Sequence, residues 1–259
     1  MQKLSACIIC VNEEAHIRAC IEAVAFCDEI VVVDSGSKDR TVEIARGLGA
    51  RVIERGWPGH IEQKNFALEA ATHRFALSVD ADEVVTPELR EEIRRVLSEE
   101  PPACAGWELN RRTWHLGRFL DHGEWSPDWK LRLVDRSKGP RWGGLNPHDK
   151  LSVEGRVERL RGELLHYSSR DLRHHVDTVN SFTSISAEAM DQAGRGAPVA
   201  RMFLQPPADF FRNYVLRRGF MDGLPGLVAA VVSAFYVFLK YAKLWERRAI
   251  SPRGEARGR

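Results

Sequence analysis

Cysteine is scarce in this sequence, and the five present are an odd number in a chain of 259 residues. A secreted scaffold held by disulfides is thereby excluded, and a reducing compartment is the expectation. Cys7 and Cys10 have C-x-x-C spacing but lie in "SACIICV". On a strand, residues three apart point to opposite faces, so the pair cannot chelate one ion. A secretory leader is not expected either, because the apolar run from Ala6 to Val11 breaks at Asn12, Glu13 and Glu14. Net charge is nearly absent, at +2, so nothing calls for nucleic acid, although the last fifty residues carry many arginines and few acids. Internal repeats and low-complexity stretches are missing. A glycine-rich phosphate loop is missing too: the first apolar run is followed by "VNEEAH", which argues against a sugar nucleotidyltransferase.

What is present is a chain with 44% hydrophobic residues, enough to bury a sizeable core. From Leu4 to about Ser98 short apolar runs alternate with amphipathic segments, the βαβ pattern. Strands are expected at Ala6 to Val11, "EIVVVD", "ARVIER" and "RFALSVD". Helices are expected at "HIRACIEAVAF", with Ile17, Cys20, Ile21 and Val24 on one face, and at "RTVEIARGLGA" and "IEQKNFALEAA". A fourth helix should start at Thr86 as its cap, with Pro87 in the first position. Beyond Pro101 and Pro102 the sequence becomes rich in tryptophan and turns, and from Asp171 it is helical.

In open α/β sheets ligands sit at the carboxyl ends of the strands. Three runs here end in polar residues: Asn12-Glu13-Glu14, Asp34-Ser35-Gly36-Ser37 and Asp80-Ala81-Asp82. A single strand-end aspartate often only caps its turn, but three acidic ends in succession suggest one cleft. Asp80, Asp82 and Glu83 also repel one another, so something positive is expected among them. A calcium loop starting at Asp80 fails, since Val84 and Val85 stand where an oxygen ligand and a glycine are required. Carboxylates that hold Mg²⁺ or Mn²⁺ beside water and diphosphate oxygens fit better.

"IICVNEE", "IVVVDSGSKDRTVEIA", "QKNFAL" and "LSVDADEVVTPEL", in this order, resemble the nucleotide-sugar half of the family 2 glycosyltransferases with a GT-A fold. "PDWKLRLVDR", "GELLHYS" and "VLRRGF...AFYVFLKYAKLWE" are similar to the lipopolysaccharide core enzymes of the inner-core β-1,4-glucosyltransferase type, and the likeness extends from residue 4 to about 248. The fold so implied is an α/β, Rossmann-like mixed sheet flanked by helices, with a C-terminal helical extension that associates with the membrane. Its expected divisions are a catalytic domain, 1–170, with a nucleotide-sugar half (1–100) and an acceptor half (101–170); the extension, 171–250; and a loose tail, 251–259.

The resemblance implies a UDP-sugar donor, with Glu14 and Asp34 at positions that hold ribose and uracil. Gln63 and Lys64 would lie near the nucleotide. Asp80 would contact the ribose or metal-bound water, and Asp82 would ligate Mg²⁺ or Mn²⁺. His166 would complete the metal site. The positive charge missing among the carboxylates would then be an ion that arrives with the substrate. Inverting transfer also needs a base for the acceptor hydroxyl. The resemblance places this acid after the Asp80-x-Asp82 pair, at a position that falls on Asp149 in "NPHDK", with Asp128 in "SPDWKLRL" as the rival and Glu124 behind it.

Trp125 and Trp129 are candidate stacking platforms for the acceptor sugar, and His174 and His175 are read as surface or partner contacts. Leu224 to Leu239 run sixteen residues without a charge, between basic flanks. A spanning helix needs about twenty, so a helix lying on the inner face of the membrane is the expectation, with a core helix as the alternative. The enzyme would then be cytoplasmic and peripheral, acting on a lipid-linked saccharide. A polyprenyl-phosphate sugar transferase and a nucleotide-binding scaffold without turnover remain as alternatives.

Overall fold

The apolar run that opens the chain becomes β1 (Leu4–Cys10), and its alternation decides which layer each side chain enters. Leu4, Ala6, Ile8 and Cys10 join one buried cluster, while Cys7 joins another on the opposite face of the sheet. The two cysteines therefore never share a face, and burial pushes the Cys7 thiol up to about 12, as for an inert core residue. The computed structural model describes residues 2–99, 104–145, 148–168, 171–194 and 198–250. The tail read as loose, 251–259, lies outside the described residues, as do Asn146 and Pro147 beside Asp149.

The chain forms two compact units. The first comprises Met1–Trp114 and Pro127–Ser168, the second His115–Ser126 and Ser169–Arg259. Reading the sequence draws one boundary, at residue 170; the structure also assigns the segment from His115 to Ser126 to the second unit.

In the first unit, β2 (Glu29–Asp34), β3 (Arg51–Glu54), β4 (Phe75–Asp80), β5 (Glu83–Val85), β6 (Gly106–His115), β8 (Trp129–Asp135) and β11 (Val157–His166) join β1. Their order in the sheet is β3-β2-β1-β4-β8-β6-β11-β5. β1 to β4 are parallel, β8 is antiparallel to both β4 and β6, and β5 is antiparallel to β11. This is a mixed sheet flanked by helices, as the resemblance implies. α1 (Ile17–Ala23), α2 (Thr41–Gly47) and α4 (Pro87–Ser98) cover one face through Ile17, Cys20, Ile21, Ala45, Leu89 and Ile93. α3 (His60–Ala70) covers the other face through Ala67 and Leu68, beside Trp142 and Leu151 of the hairpin formed by β9 (Arg141–Leu145) and β10 (His148–Ser152). α4 starts as its cap residue dictates, with the Thr86 side chain accepting from Leu89 N at 3.3 Å.

The second unit holds the short β7 (Arg118–Phe119), α5 (Leu172–Gln192), α6 (Pro198–Phe211) and α7 (Gly223–Ile250). α7 runs unbroken for 28 residues and, by length and composition, is long and apolar enough to cross a membrane; the sequence reading judged its uncharged run too short. Its later half packs instead on α5, where Tyr241 and Leu244 meet Ala187 and Met190. Lys243 Nζ reinforces that contact by donating to Asn180 Oδ1 at 2.7 Å and Thr183 Oγ1 at 2.9 Å.

Candidate active site

The loops that leave β1 and β2 are stitched together, and the stitching occupies the first two candidate acids. Asn12 takes a left-handed backbone, φ 54°, which asparagine tolerates better than most residues. Its N–H donates to Ser37 Oγ at 2.8 Å and its side chain accepts from Lys38 N at 2.8 Å. Glu14 Oε2 accepts from Arg40 N at 3.1 Å. Asp34 is 1% exposed and accepts from Gly36 N and Ser37 N, both at 2.9 Å, and from the Ser37 hydroxyl. The Asp34 carboxylate is thus held by its own loop. Amides of the following turn reach a strand-end carboxylate first.

"QKN" on α3 is a set of three clamps. Gln63, fully buried, donates from Nε2 to Ser35 Oγ at 3.0 Å and so fixes the β2 loop. Lys64 Nζ lies 3.1 Å from Asp80 Oδ1 and 2.9 Å from Asp149 Oδ2, over the face of Trp142 at 4.5 Å. Asn65 pairs with the Trp142 backbone, donating to its carbonyl at 3.0 Å and accepting from its N–H at 2.9 Å. The hairpin that carries Asp149 is therefore docked on the helix that carries Lys64.

The crowded carboxylates find their counter-charge within the protein. Arg132 on β8, 2% exposed, donates from Nη2 to Asp80 Oδ2 at 2.9 Å and to Glu83 Oε1 at 2.8 Å. Arg111 on β6 lies 3.5 Å from Glu83 and 2.8 Å from Asp128, and Lys130 lies 2.9 Å from Asp128. Asp149, Lys64, Asp80, Arg132, Glu83, Arg111, Asp128 and Lys130 alternate in sign along a continuous row. This corrects the expectation that only a substrate-borne ion could offset the acids. Burial works to raise the Asp80 carboxyl, but Arg132 and Lys64 outweigh it and hold the group well below the usual carboxylate range. Asp128 is likewise lowered, with Arg111 and Lys130 outweighing burial.

Asp82 has a different neighbour. β5 pairs with the end of β11, His166 opposite Glu83, and this brings His166 Nε2 to 3.3 Å from Asp82 Oδ2. Thr113 Oγ1 lies 3.4 Å from His166 Nδ1 and orients the ring. Burial, the largest single influence, works to raise the Asp82 carboxyl, but the charge and hydrogen bond of His166 together with a backbone hydrogen bond outweigh it, so the net shift is downward. Neighbouring ligands on an octahedral ion with bonds of 2.0–2.1 Å lie about 3 Å apart, so this carboxylate and imidazole fit Mg²⁺ or Mn²⁺ as a pair. Among the described residues no group of three or more His, Cys, Asp or Glu is placed to hold a metal. Two protein ligands, with water and diphosphate oxygens completing the shell, is the arrangement the donor set allows.

Other candidates fall elsewhere. Glu124 belongs to the second unit, where Asn213 Nδ2 donates to it at 3.3 Å. Trp125 packs edge-on to His115 at 5.2 Å, and the Trp129 ring carries the Arg159 guanidinium on one face at 4.6 Å. His175 is buried rather than on the surface, 5.0 Å from the His115 ring. Arg132, Arg111 and Asn65 were not singled out from the sequence; the one signal for Arg132 is a charge inside the apolar strand "LRLV".

Comparison with known proteins identifies the class of chemistry. A family model described as "Glycosyl transferase family 2" matches residues 5–148. The lipopolysaccharide core biosynthesis glycosyltransferase LpsC of Rhizobium meliloti is 32% identical over 256 residues, covering 96% of this chain and 94% of LpsC. An uncharacterized glycosyltransferase of Rickettsia typhi is 30% identical over 95% of this chain and 88% of its own. Among solved structures, a Pyrobaculum calidifontis mannosyltransferase in complex with GDP-Man and Mn²⁺ superposes with a TM-score of 0.57 at 13% identity, over 94% of this chain and 87% of that one. S. aureus TarS 1-349 in complex with UDP-GlcNAc gives 0.50 at 13% identity, over 98% and 93%. The structural likeness is one of fold; the family model matches more than half of the chain and LpsC covers 96% of it, and on these sequence matches this chain belongs to glycosyl transferase family 2.

Proposed function

We propose that this glycosyltransferase moves a hexose, glucose by its resemblance, from a UDP-sugar to a lipid-anchored saccharide such as lipopolysaccharide inner core, with inversion at the anomeric carbon. The observation that carries the reading is the Lys64 bridge, 3.1 Å to Asp80 at the end of β4 and 2.9 Å to Asp149 on the β9–β10 hairpin. It ties the strand end where a donor diphosphate belongs to a second acid on a separate element, as a transfer between two substrates requires. Residues 1–100 would take the nucleotide sugar and 101–170 the acceptor.

Asp82 and His166 would hold Mg²⁺ or Mn²⁺, which when bound offsets negative charge developing on the departing UDP. Lys64 and Arg132 keep Asp80 ionised and fixed. Asp149 is the base that takes the acceptor proton. Its carboxylate is held by Lys64 at 2.9 Å, whereas Asp128 is lowered between Arg111 and Lys130 and is correspondingly poor at accepting a proton. The extension, with its long apolar helix, is read as holding the enzyme on the inner face of the membrane where a lipid-linked acceptor resides.

The test is UDP release from a panel of UDP-sugars, with and without Mn²⁺, against a lipopolysaccharide-core acceptor and against polyprenyl phosphate. Turnover only with the core acceptor supports the proposal. Preference for polyprenyl phosphate transfers the chain to that class of sugar transferase. Binding without turnover on any acceptor makes it a nucleotide-binding scaffold.

A further inference from the structure

Resting on the membrane reading above, we infer that the element entering the bilayer is the turn between α6 and α7, residues 211–224, rather than the uncharged run of α7. The turn displays Phe211 (53% exposed), Leu216 (65%), Phe220 (50%), Met221 (53%) and Leu224 (71%). In the run that follows, Ala229, Ala230 and Val232 are buried within the second unit, and the exposed apolar side chains, Val231 (50%), Phe235 (44%) and Phe238 (38%), are fewer and less exposed than those of the turn.

The turn is built to hold this display. Its inner side is polar and fully engaged: Asp222, fully buried, accepts from His122 N at 2.8 Å and Asp121 N at 3.1 Å and pairs with Arg118 at 3.3 Å. Asn213, 1% exposed, donates to Asp209 Oδ2 at 3.2 Å. Arg218 takes a left-handed φ of 58°, and at Gly219 a Cβ would lie 2.8 Å from the Asn213 carbonyl oxygen, so the backbones are packed too closely for a side chain. A segment fixed from within has no route to tuck its apolar side chains away.

Charge selects the occupant. The one acid between 211 and 224, Asp222, is buried and paired, as Arg212 is paired with Asp209, whereas Arg217 and Arg218 are exposed. A second copy docking symmetrically would set these arginines against their own images. An anionic lipid surface matches them while accepting the apolar tips about 5–10 Å deep.

The experiment is co-sedimentation of the full chain with phosphatidylcholine vesicles, with and without phosphatidylglycerol. Three forms are compared: parent, Leu216→Ser/Phe220→Ser/Leu224→Ser, and the control Val231→Ser/Phe235→Ser. The turn variant should lose about tenfold or more in partitioning, since three apolar side chains no longer enter the bilayer, and the control should stay near the parent. Arg217→Gln/Arg218→Gln should weaken binding only to the anionic vesicles. If the turn variant does not fold, Leu216→Ser alone and the arginine pair decide. A parent that ignores both vesicles sinks the membrane reading itself. A parent that binds while the turn variants bind equally well sinks this inference alone. Loss of a dimer in the turn variants, without vesicle binding by the parent, would make the occupant a second copy.

Discussion

Arg132 Nη2 lies 2.9 Å from Asp80 Oδ2 across 52 positions of sequence, in a site where Arg132 is 2% exposed. The same nitrogen serves Glu83, while Nε and Nη1 are buried without a hydrogen-bond partner among the described residues. One guanidinium thus holds two carboxylates that would otherwise repel, and it spends only part of its donor capacity doing so. Burial of so many charges is tolerable because the row alternates in sign, and it makes each member costly to remove alone.

Arg132→Met should therefore destabilise the protein by about 3–5 kcal/mol, a loss of roughly 6–20 °C in Tm for a chain of this size. Glu83→Gln added to it should recover part of the loss, because it removes one of the two stranded carboxylates. Thermal melts of the two single variants and the double variant read the coupling directly. Additive losses would mean that the Arg132–Glu83 contact carries little energy.

Asp82→Asn should leave the melt without metal close to that of the parent, since the amide keeps a polar group 3.3 Å from His166 and the repulsion from Asp80 is removed. Mn²⁺ affinity in the presence of UDP should fall by at least about tenfold, the usual cost of losing a ligand-shell interaction, and metal-dependent transfer with it. Titration calorimetry measures the first effect independently of turnover. Unchanged Mn²⁺ affinity would make the Asp82–His166 contact an ordinary ion pair.

The layout of the first unit was legible wherever one local rule determined the outcome. The apolar period placed Ile17, Cys20, Ile21 and Val24 inward, and the Thr86-Pro87 pair started α4. Period two separated Cys7 from Cys10. What stayed hidden depends on tertiary pairing. Arg132 meets Asp80 because β8 runs antiparallel beside β4, and no local signal specifies that neighbour. Asp82 and His166 could be paired beforehand only through the family resemblance, since the register of β5 on β11 brings them together. Asp34 was legible as polar and strand-terminal, but its direction depends on which amides arrive first. For His174 and His175, adjacency on a helix shows that they diverge without showing which one faces inward.

Asp149→Asn should reduce transfer by about 10²–10⁴-fold, the usual worth of a positioned base, with donor affinity near that of the parent. Asp128→Asn should cost transfer far less, because that carboxylate sits lowered between Arg111 and Lys130. It should instead lower Tm, since it strands two cations. Steady-state kinetics with the donor and acceptor varied separately distinguish the two. Normal transfer by Asp149→Asn together with a dead Asp128→Asn would move the base to "SPDWKLRL".

His175 should make the second unit sensitive to acid. Burial, with His115 and His174 adding to it, holds its imidazole down at about 4, and His115 is lowered by burial too. An unfolded histidine titrates near 6.5, so between about 4 and 6.5 the unfolded chain takes up a proton that the folded chain refuses. Stability should therefore rise with pH through that window and level off above it, with His175 contributing up to about 3 kcal/mol of the change. Carboxylates such as Asp80 and Asp128, whose values are lowered, contribute a slope of the same sign that lies mostly below pH 4. The two sources separate in His175→Phe, which keeps an aromatic ring beside Trp125 and cannot be protonated. Denaturant melts of parent and variant at pH 4.5, 5.5, 6.5 and 7.5, values chosen to bracket about 4 to 6.5, give the difference curve. It should slope through the window and flatten above it, and a difference that is flat throughout would mean that His175 is protonated at no cost in the fold.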